Sequence, residues 1–428
     1  MNKKFKKTMV TFLITGLFAT SWAVFMEDGP FATAYKSIKK YKETSGRGWS
    51  VSTSAKGKTY VIGVPAGFSK KTAGINSGVC YLEEKGKNGR LVLMGEGMIN
   101  SMAGTSVAIS PDGSVVAVGG PGMKSTSNGY FSLFARQGSS WKVPAKGVDM
   151  LSETLGFAGE KGWNLGAKVD LSNKGKTVVM SAPGFKGYGR VQYLVAPSGG
   201  WAKVKDPNDI VMGVLGLGKP KKGDEFGSSL AISEDDSTIV VGAPGIDGNT
   251  GAVYLFTKPK NGWINTKSLY RLPIEGLKKG DRFGESVAVS KDGSVIIVGT
   301  PGKTGKSTGK IYVFTLSKNS ISTTTLGSAY ETINMGISLA ISGDGKTIAA
   351  GEYGKDKNGG VVLYRLKSGK WEKGVIIALN HLQYPEIDEQ KKGAMVGFSV
   401  DLTENGSHVL FGVPLFDHGE GDYDWFKL

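Results

Sequence analysis

Short apolar segments separated by turn residues recur along nearly the whole chain. The clearest copy spans residues 226–256, FGSSLAISEDDSTIVVGAPGIDGNTGAVYLF. Its apolar segments, at 229–233, 238–242 and 252–256, have the length and the β-branched and aliphatic content of strands. A polar turn separates the first two segments, and a Gly-rich loop separates the second from the third. The pattern therefore predicts three consecutive antiparallel strands.

Variants of this stretch occur seven times. The copies begin at Trp49, Thr105, Leu165, Phe226, Phe283, Met335 and Val396. Asp-Gly, Asn-Gly or Lys-Gly pairs follow the first segment in most copies, and they favour tight hairpins because Gly and Asn tolerate positive φ. A fourth strand usually follows, and four tryptophans near its start are interpreted as packing residues. They are Trp141, Trp201, Trp263 and Trp371.

The repeats predict an all-β fold, a seven-bladed β-propeller of four-stranded antiparallel blades. One small sheet cannot bury both of its faces, so units repeated about every 50 to 60 residues must pack on each other. The compact second segments are expected to run close to the central axis. The seventh copy ends after its third strand, and the run from Ala32 to Lys39 alternates like a strand. We therefore predict that segment 24–45 pairs with the last blade and closes the ring.

Two pairs of short motifs carry a family resemblance. Phe226-Gly227 with Gly242-Ala243-Pro244, and Phe283-Gly284 with Gly299-Thr300-Pro301, resemble FG-GAP repeats. The resemblance covers nearly all of the chain after residue 23. It implies a propeller like the integrin α-subunit head and those of many bacterial surface proteins. Since the matching motifs are structural, the resemblance transfers no ligand-contacting residue.

The amino terminus predicts export. Residues 1–23 combine a lysine-rich start, an apolar core at 9–18 and a small-residue ending at Ala23, the order typical of a cleaved signal peptide. The predicted organisation is a signal peptide at 1–23 and a single propeller at 24–428. The expected location is periplasmic, cell-surface or secreted. Cys80 is the sole cysteine, which excludes an internal disulfide.

The chain is strongly basic, with a formal charge of +16 that leaves +12 for residues 24–428. Most cations are lysines, which suit diffuse attraction to an anionic surface or polymer; the alternative is that they only keep the protein soluble. In a propeller, the loops joining strand 2 to strand 3 and those joining blade to blade emerge on one face. The cations predicted on that face are Lys70, Lys71, Lys124, Lys186, Lys219, Lys221, Lys222, Lys278, Lys279, Arg282, Lys303, Lys306, Lys355, Lys357, Lys391 and Lys392.

Calcium is the first cofactor to consider, because the FG-GAP hairpins of integrins carry an Asp-x-Asp-x-Asp-Gly cluster. Calcium takes six to eight oxygens, whereas most hairpins here retain one carboxylate, which turn hydrogen bonding explains. The sequence therefore predicts no cofactor. Two acidic clusters remain as alternative calcium candidates to ordinary solvated loops. They are Glu234, Asp235 and Asp236, and Asp417, Glu420 and Asp422 with Asp424 and His418 nearby.

Catalytic motifs find little support. The three histidines lack metal-ligand spacing, and Cys80 lies inside an apolar segment. The sequence predicts a non-catalytic recognition module, adhesin or lectin-like, that binds an anionic glycan, lipopolysaccharide or acidic protein. The alternatives are a scaffold subunit of a periplasmic or surface assembly, and an unrecognised enzyme on a propeller platform. Export and the lack of an aromatic-basic strip argue against nucleic acid.

Overall fold

The chain folds into seven antiparallel sheets arranged around a central axis, so the predicted all-β propeller is confirmed. The computed structural model describes residues 46–65, 78–87, 91–93, 101–122, 129–143, 162–204, 210–263, 269–302, 309–318, 320–327, 334–352, 359–377, 394–415 and 421–428. The predicted signal peptide at 1–23 and the predicted closing strand at 24–45 lie outside these residues and stay predictions.

Within every blade except the sixth, each strand pairs with its neighbour in sequence, as the hairpin signals predicted. Blades 1 to 4 comprise β1 (Ser50–Thr53), β2 (Thr59–Val64), β3 (Val79–Glu84), β4 (Leu91–Leu93), β5 (Ser106–Ile109), β6 (Val115–Gly120), β7 (Tyr130–Gln137), β8 (Ser140–Lys142), β9 (Val169–Leu171), β10 (Thr177–Ala182), β11 (Arg190–Val195), β12 (Val211–Leu215), β13 (Ser229–Ile232), β14 (Thr238–Ala243), β15 (Ala252–Thr257) and β16 (Leu269–Arg271). Blades 5 to 7 comprise β17 (Ser286–Val289), β18 (Val295–Thr300), β19 (Lys310–Leu316), β20 (Ile321–Gly327), β21 (Leu339–Ile341), β22 (Thr347–Glu352), β23 (Gly360–Lys367), β24 (Lys370–Trp371), β25 (Val375–Ile377), β26 (Val400–Leu402), β27 (His408–Val413) and β28 (Asp422–Lys427). One-turn helices occupy Asn173–Gly175, Phe185–Gly187, Trp201–Lys203 and Ile246–Asn249.

The number of strands in a blade differs only at the outer edge. Blades 1 to 5 have four strands each. In blade 6, β24 and β25 both pair with β23 and share the outer position. Blade 7 has three strands among the described residues. The sheet order therefore follows the repeat that the sequence shows.

Blade 7 docks directly on blade 1. The backbone N–H of Thr53 donates to Asp401 Oδ2 at 2.7 Å, and Ser399 Oγ donates to the Gly48 carbonyl at 2.9 Å. On the hairpin side, the N–H of Glu404 donates to the Ala55 carbonyl at 2.9 Å. These contacts join the two ends of the ring within the described residues.

The first strand of each blade, and not the second, lines the central channel. The expectation that the second strands run closest to the central axis is therefore wrong. The glycines in these strands are explained by contacts between neighbouring blades. A Cβ on Gly242 would lie 2.0 Å from the carbonyl oxygen of Gly284 in the next blade. Ser229 Oγ donates to the same carbonyl at 2.7 Å. The glycine of the GAP motif lets neighbouring blades approach.

The hydrophobic core lies between the blades. Phe226 and Phe283 are fully buried, and the Phe226 ring packs 6.0 Å from Tyr254 and 6.2 Å from Phe256, centroid to centroid. Each FG phenylalanine therefore packs on the third strand of its own blade, where that strand faces the preceding blade.

Two of the repeated tryptophans show why the residue recurs. Trp201 and Trp263 are buried. Trp201 donates through Nε1 to the Gly175 carbonyl at 2.5 Å, and Trp263 donates to Asp236 Oδ1 at 3.0 Å. Both acceptors lie in the hairpin between the first and second strands of the same blade, so these side chains pack as the sequence predicted.

Candidate functional site

The inter-blade loops contact the loops between second and third strands on one side of the ring, which we call the loop face. The N–H of Gly223 donates to the Gly187 carbonyl at 2.8 Å, and the N–H of Gly280 donates to the Asn249 carbonyl at 3.0 Å. Six exposed lysines of blades 3 to 5 lie on these loops, and we call them the lysine surface. They are Lys186, Lys219, Lys221, Lys222, Lys278 and Lys279.

Aspartates fix the two inter-blade turns that carry four of these lysines. Asp224 Oδ2 accepts the backbone N–H of Lys221 at 2.6 Å, and Asp281 Oδ2 accepts that of Lys278 at 2.7 Å. Local hydrogen bonding of this kind stabilises a turn. The aliphatic stem of Lys222 lies over Gly187, where a Cβ would come within 3.2 Å of Lys222 Cγ. The acids thus shape the turns that present the lysines.

None of the six lysines has an acidic side chain within salt-bridge distance among the described residues. Lys186 lies over the ring of Phe185, with Nζ 5.6 Å from its centroid. The exposed Asp247 pairs with Arg271 at 3.3 Å. The six lysines therefore place like charges on adjacent loops of one side of the ring, where their fields add.

Arg282, predicted as a seventh surface cation here, instead belongs to a buried network between blades. Its Nη2 lies 2.8 Å from Glu225 Oε2 and its Nε lies 2.7 Å from Glu285 Oε2. Burial opposes the charge of Arg282, but the two carboxylates outweigh burial and raise the pKa of the guanidinium. Burial also raises the pKa of Glu225, although Arg282 opposes that shift. Arg282 is therefore not part of the exposed lysine surface.

The other predicted cations cannot be placed on this surface. Lys70, Lys71, Lys124, Lys303, Lys306, Lys355, Lys357, Lys391 and Lys392 lie outside the described residues. The structure therefore brings together one contiguous part of the predicted set, on blades 3 to 5.

The loop-face mouth of the central channel holds a charged residue that sequence reasoning missed. A cavity of about 180 Å³ lies there, lined by the starts of the first strands. Six blades place a serine at one equivalent lining position: Ser50, Ser106, Ser229, Ser286, Ser338 and Ser399. Blade 3 has Lys168 instead. Burial lowers the pKa of this lysine, and the charge of Glu285 opposes that shift.

A second substitution accompanies Lys168. In other blades the serine faces a glycine across the sheet, as Ser50 faces Gly63 and Ser229 faces Gly242. In blade 3 the residue opposite Lys168 is Ser181, whose Oγ accepts the N–H of Lys168 at 3.1 Å. Comparing the seven copies at this pair would have exposed Lys168 from the sequence.

Deeper in the channel, two aspartates tie neighbouring blades together. Asp170 accepts the backbone N–H of Leu171 at 2.8 Å and that of Ile232 in the next blade at 2.9 Å. Asp401 does the same with Leu402 and Thr53, at 2.8 and 2.7 Å. Burial outweighs these hydrogen bonds and raises the pKa of Asp170 to about 7 and of Asp401 to about 6.

These aspartates make stability depend on pH. Their pKa values in the fold exceed the ordinary 3.8, so the folded protein binds more protons between about pH 4 and pH 7. We expect the melting temperature to fall as pH rises through this window. Blade 1 has Ser52 at the equivalent position, where it accepts the N–H of Ile109 at 3.2 Å.

The double variant Asp170→Ser, Asp401→Ser should therefore keep the hydrogen bonds between blades and make the melting temperature less dependent on pH. Melting curves from pH 4 to pH 8 measure this difference directly. Glu234 lies at the same end of the channel, and its pKa is raised by burial and also by the charge of Asp401, so the difference between the two profiles includes this smaller coupled effect. Parallel wild-type and variant profiles would contradict the assignment.

Comparisons with known proteins agree with this geometry. The model of the FG-GAP repeat family matches residues 220–256 and 276–314, which contain the FG and GAP motifs of blades 4 and 5. The same glycine contact recurs at other junctions, where Gly63 meets Gly104 and Gly351 meets Gly397. This protein is an FG-GAP repeat propeller. The sequence-based family assignment is confirmed.

Solved structures share the fold of this FG-GAP propeller. A crystal structure of a candidate 6-phosphogluconolactonase from Bacteroides uniformis superposes with a TM-score of 0.51 and 12% identity. The match covers 86% of this chain and 91% of the other. At this identity the similarity concerns the fold alone. A search of curated protein sequences gives no match.

The candidate calcium cluster of the FG-GAP hairpin in blade 4 has its carboxylates in three different environments. Asp235 Oδ1 accepts from Ser233 Oγ at 2.6 Å and from the N–H of Ser237 at 2.9 Å. Asp236 bonds to Lys258 and Trp263, and Glu234 lies 3.8 Å from Lys291. The structure does not bring the three together.

The second calcium candidate is only partly described. Asp417 and Glu420 lie outside the described residues, and Asp422 pairs with Val413 at the start of β28. No group of three metal-ligating side chains occurs in the part of the chain that the structure describes.

The cysteine of the FG-GAP propeller is engaged in core packing. Cys80 is fully buried, and burial raises the pKa of its thiol, which disfavours the reactive thiolate.

No helix among the described residues is long and apolar enough to cross a membrane. The FG-GAP propeller fits a binding or recognition module.

Proposed function

We propose that this protein is an exported, non-catalytic recognition module, adhesin or lectin-like, that binds an acidic glycan through its lysine surface. The observation that carries the proposal is the set of six exposed lysines on three adjacent blades, with no acidic partner among the described residues. Lysine ammonium groups are solvated point charges, which suit a repeating polyanion better than one small anion that must be read in a fixed geometry.

The turn geometry supports this role. Asp224 and Asp281 hold the backbones of Lys221 and Lys278, while the lysine side chains project from the loop face. A rigid backbone with mobile charged ends keeps the cations at a fixed spacing and lets each ammonium adapt to a carboxylate or sulfate. Such a surface binds by charge density and is weakened by salt.

Heparin provides the first probe. Reversing four charges in Lys221→Glu, Lys222→Glu, Lys278→Glu, Lys279→Glu should weaken heparin binding at least about tenfold, and raising ionic strength should weaken wild-type binding steeply. The matched control reverses four exposed lysines in the hairpins on the opposite face. They are Lys56, Lys58, Lys174 and Lys346.

Calorimetric titration of both variants separates the outcomes. Equal losses in the two variants would show an effect of net charge alone and would overturn the proposal, as would binding insensitive to salt. Binding to anionic liposomes but not to heparin would replace the glycan by a lipid headgroup, and capture of an acidic protein alone would replace it by a protein.

A scaffold role is the second candidate, and exposed apolar residues on two outer strands favour it. Val211, Met212 and Val214 of β12 and Leu269 and Tyr270 of β16 are each 38–48% exposed. Apolar groups gathered at an edge mark contact sites in many proteins. If the wild type self-associates, its mass in solution should fall in the variant Met212→Lys, Tyr270→Lys, and that result would support a scaffold role.

A further inference from the structure

At the mouth of the central channel, blade 3 differs from the other blades at one pair of facing residues. Lys168 and Ser181 replace the serine and glycine that face each other in blades 1, 2, 4 and 5. A lysine that lies partly buried on the axis loses hydration, and the lowered pKa of Lys168 records that cost. Ser181 restores a tie within the blade by accepting the Lys168 N–H.

The surrounding serines have little donor capacity left. Five of the six hydroxyls donate to the carbonyl of a glycine in the next blade. The pairs are Ser50 to Gly104, Ser229 to Gly284, Ser286 to Gly336, Ser338 to Gly397 and Ser399 to Gly48. A hydroxyl has one proton and two lone pairs, so these serines can offer only acceptors to the cavity.

The polar groups of the cavity therefore select against ions. An anion would find Lys168 as a donor, together with Ser106, whose Oγ accepts the N–H of Val169 at 3.0 Å, but it would also meet the acceptor oxygens of the other serines and the carboxylate of Glu285, which lines the cavity. A cation would be repelled by Lys168. An uncharged ligand rich in hydroxyl groups satisfies both sides, because each hydroxyl donates to a serine oxygen or accepts from Lys168.

The size and the walls narrow the ligand further. Pockets for drug-sized molecules usually measure about 300–1,000 Å³, whereas this cavity measures about 180 Å³ and suits one ring. Trp49 and Phe398, whose ring centroids lie 4.7 Å apart, contribute to its apolar wall. The two rings are only 4% and 3% exposed, so they close the apolar side of the cavity by packing on each other.

We infer that the channel mouth binds an uncharged hexose ring, with Lys168 as the donor that fixes its orientation. This site does not depend on the lysine surface. It lies on the axis, selects for hydroxyl groups and needs no net charge on the ligand. A protein could therefore lose heparin binding and keep the sugar site, or the reverse.

The test titrates the methyl glycosides of glucose, galactose and mannose and follows binding by saturation-transfer NMR. At least one glycoside should bind the wild type, and Lys168→Ser should weaken that binding about tenfold or more, since a charged donor is lost. A second variant, Lys168→Ser with Ser181→Gly, recreates the pair of blade 4 and should fold with equal or higher melting temperature. Lys346→Ser, in an exposed hairpin on the opposite face, serves as the control and should bind normally.

Three results would overturn the inference. They are no binding of any of the three glycosides, binding that survives in both Lys168 variants, and Lys168-dependent binding of acetate or inorganic phosphate in place of the glycosides. The melting temperatures show whether each variant is folded when it is tested.

Discussion

Replacing Gly242 by alanine should destabilise the propeller by at least about 3 kcal/mol. The new Cβ would lie 2.0 Å from the Gly284 carbonyl oxygen and 2.2 Å from Ser229 Oγ. The first of these atoms belongs to the backbone of the next blade, so it cannot rotate away. The substitution must push two blades apart and break the hydrogen bond from Ser229 to Gly284.

Urea denaturation and melting temperature measure this effect. Gly216→Ala is the matched control, because a Cβ there meets no atom within 4 Å. We expect that variant to stay within about 0.5 kcal/mol of the wild type, as most surface substitutions do. If Gly242→Ala were equally mild, the glycine contact would not hold the blades together.

This contact explains how far the sequence could predict the fold. The number of blades and the order of their strands follow from local signals, since apolar segments and turn residues repeat in each copy. The position of the second strands does not. Small residues such as Gly242 indicate a close approach of backbones, but they do not identify the other backbone. These segments were predicted to approach the central axis, whereas Gly242 approaches the backbone of the FG glycine Gly284 in the next blade.

The candidate site also has a part that the sequence could predict and a part that it could not. The loops of Lys221 and Lys278 could be located from the sequence, because a loop's position in the repeat determines the side of the ring on which it emerges. Arg282 was grouped with them because it is basic and adjacent in sequence. Its environment depends on Glu225 from the preceding inter-blade loop and on Glu285 together, an arrangement that a linear pattern does not show.

Arg282 provides the other large expected effect. Arg282→Met should destabilise the protein by about 3–5 kcal/mol, because it leaves two buried carboxylates without their counter-charge. Methionine is a suitable replacement, since Met102 and Met395 occupy the equivalent position of blades 2 and 7 with the same positive φ. The fold thus accommodates methionine at this positive φ, so the substitution adds no new backbone requirement and the loss of stability reports the charges.

The penalty should also depend on pH. Burial already raises the pKa of Glu225 and Arg282 opposes that shift, so the substitution raises this pKa further. A carboxyl group whose pKa is higher in the folded state stabilises the fold below its unfolded pKa and loses that contribution as pH rises. Arg282→Met should accordingly be closer to the wild type at pH 5 than at pH 8.

Two further variants separate this explanation from simple loss of packing. Arg271→Met removes a pair whose side chains are 51% and 60% exposed, and exposed pairs contribute little, so it should cost less than about 1 kcal/mol. Adding Glu225→Gln and Glu285→Gln to Arg282→Met removes the uncompensated charges and should recover part of the stability at pH 8. A triple variant as unstable as Arg282→Met, with no pH dependence in either, would mean that Arg282 acts by filling space and not by neutralising the two glutamates.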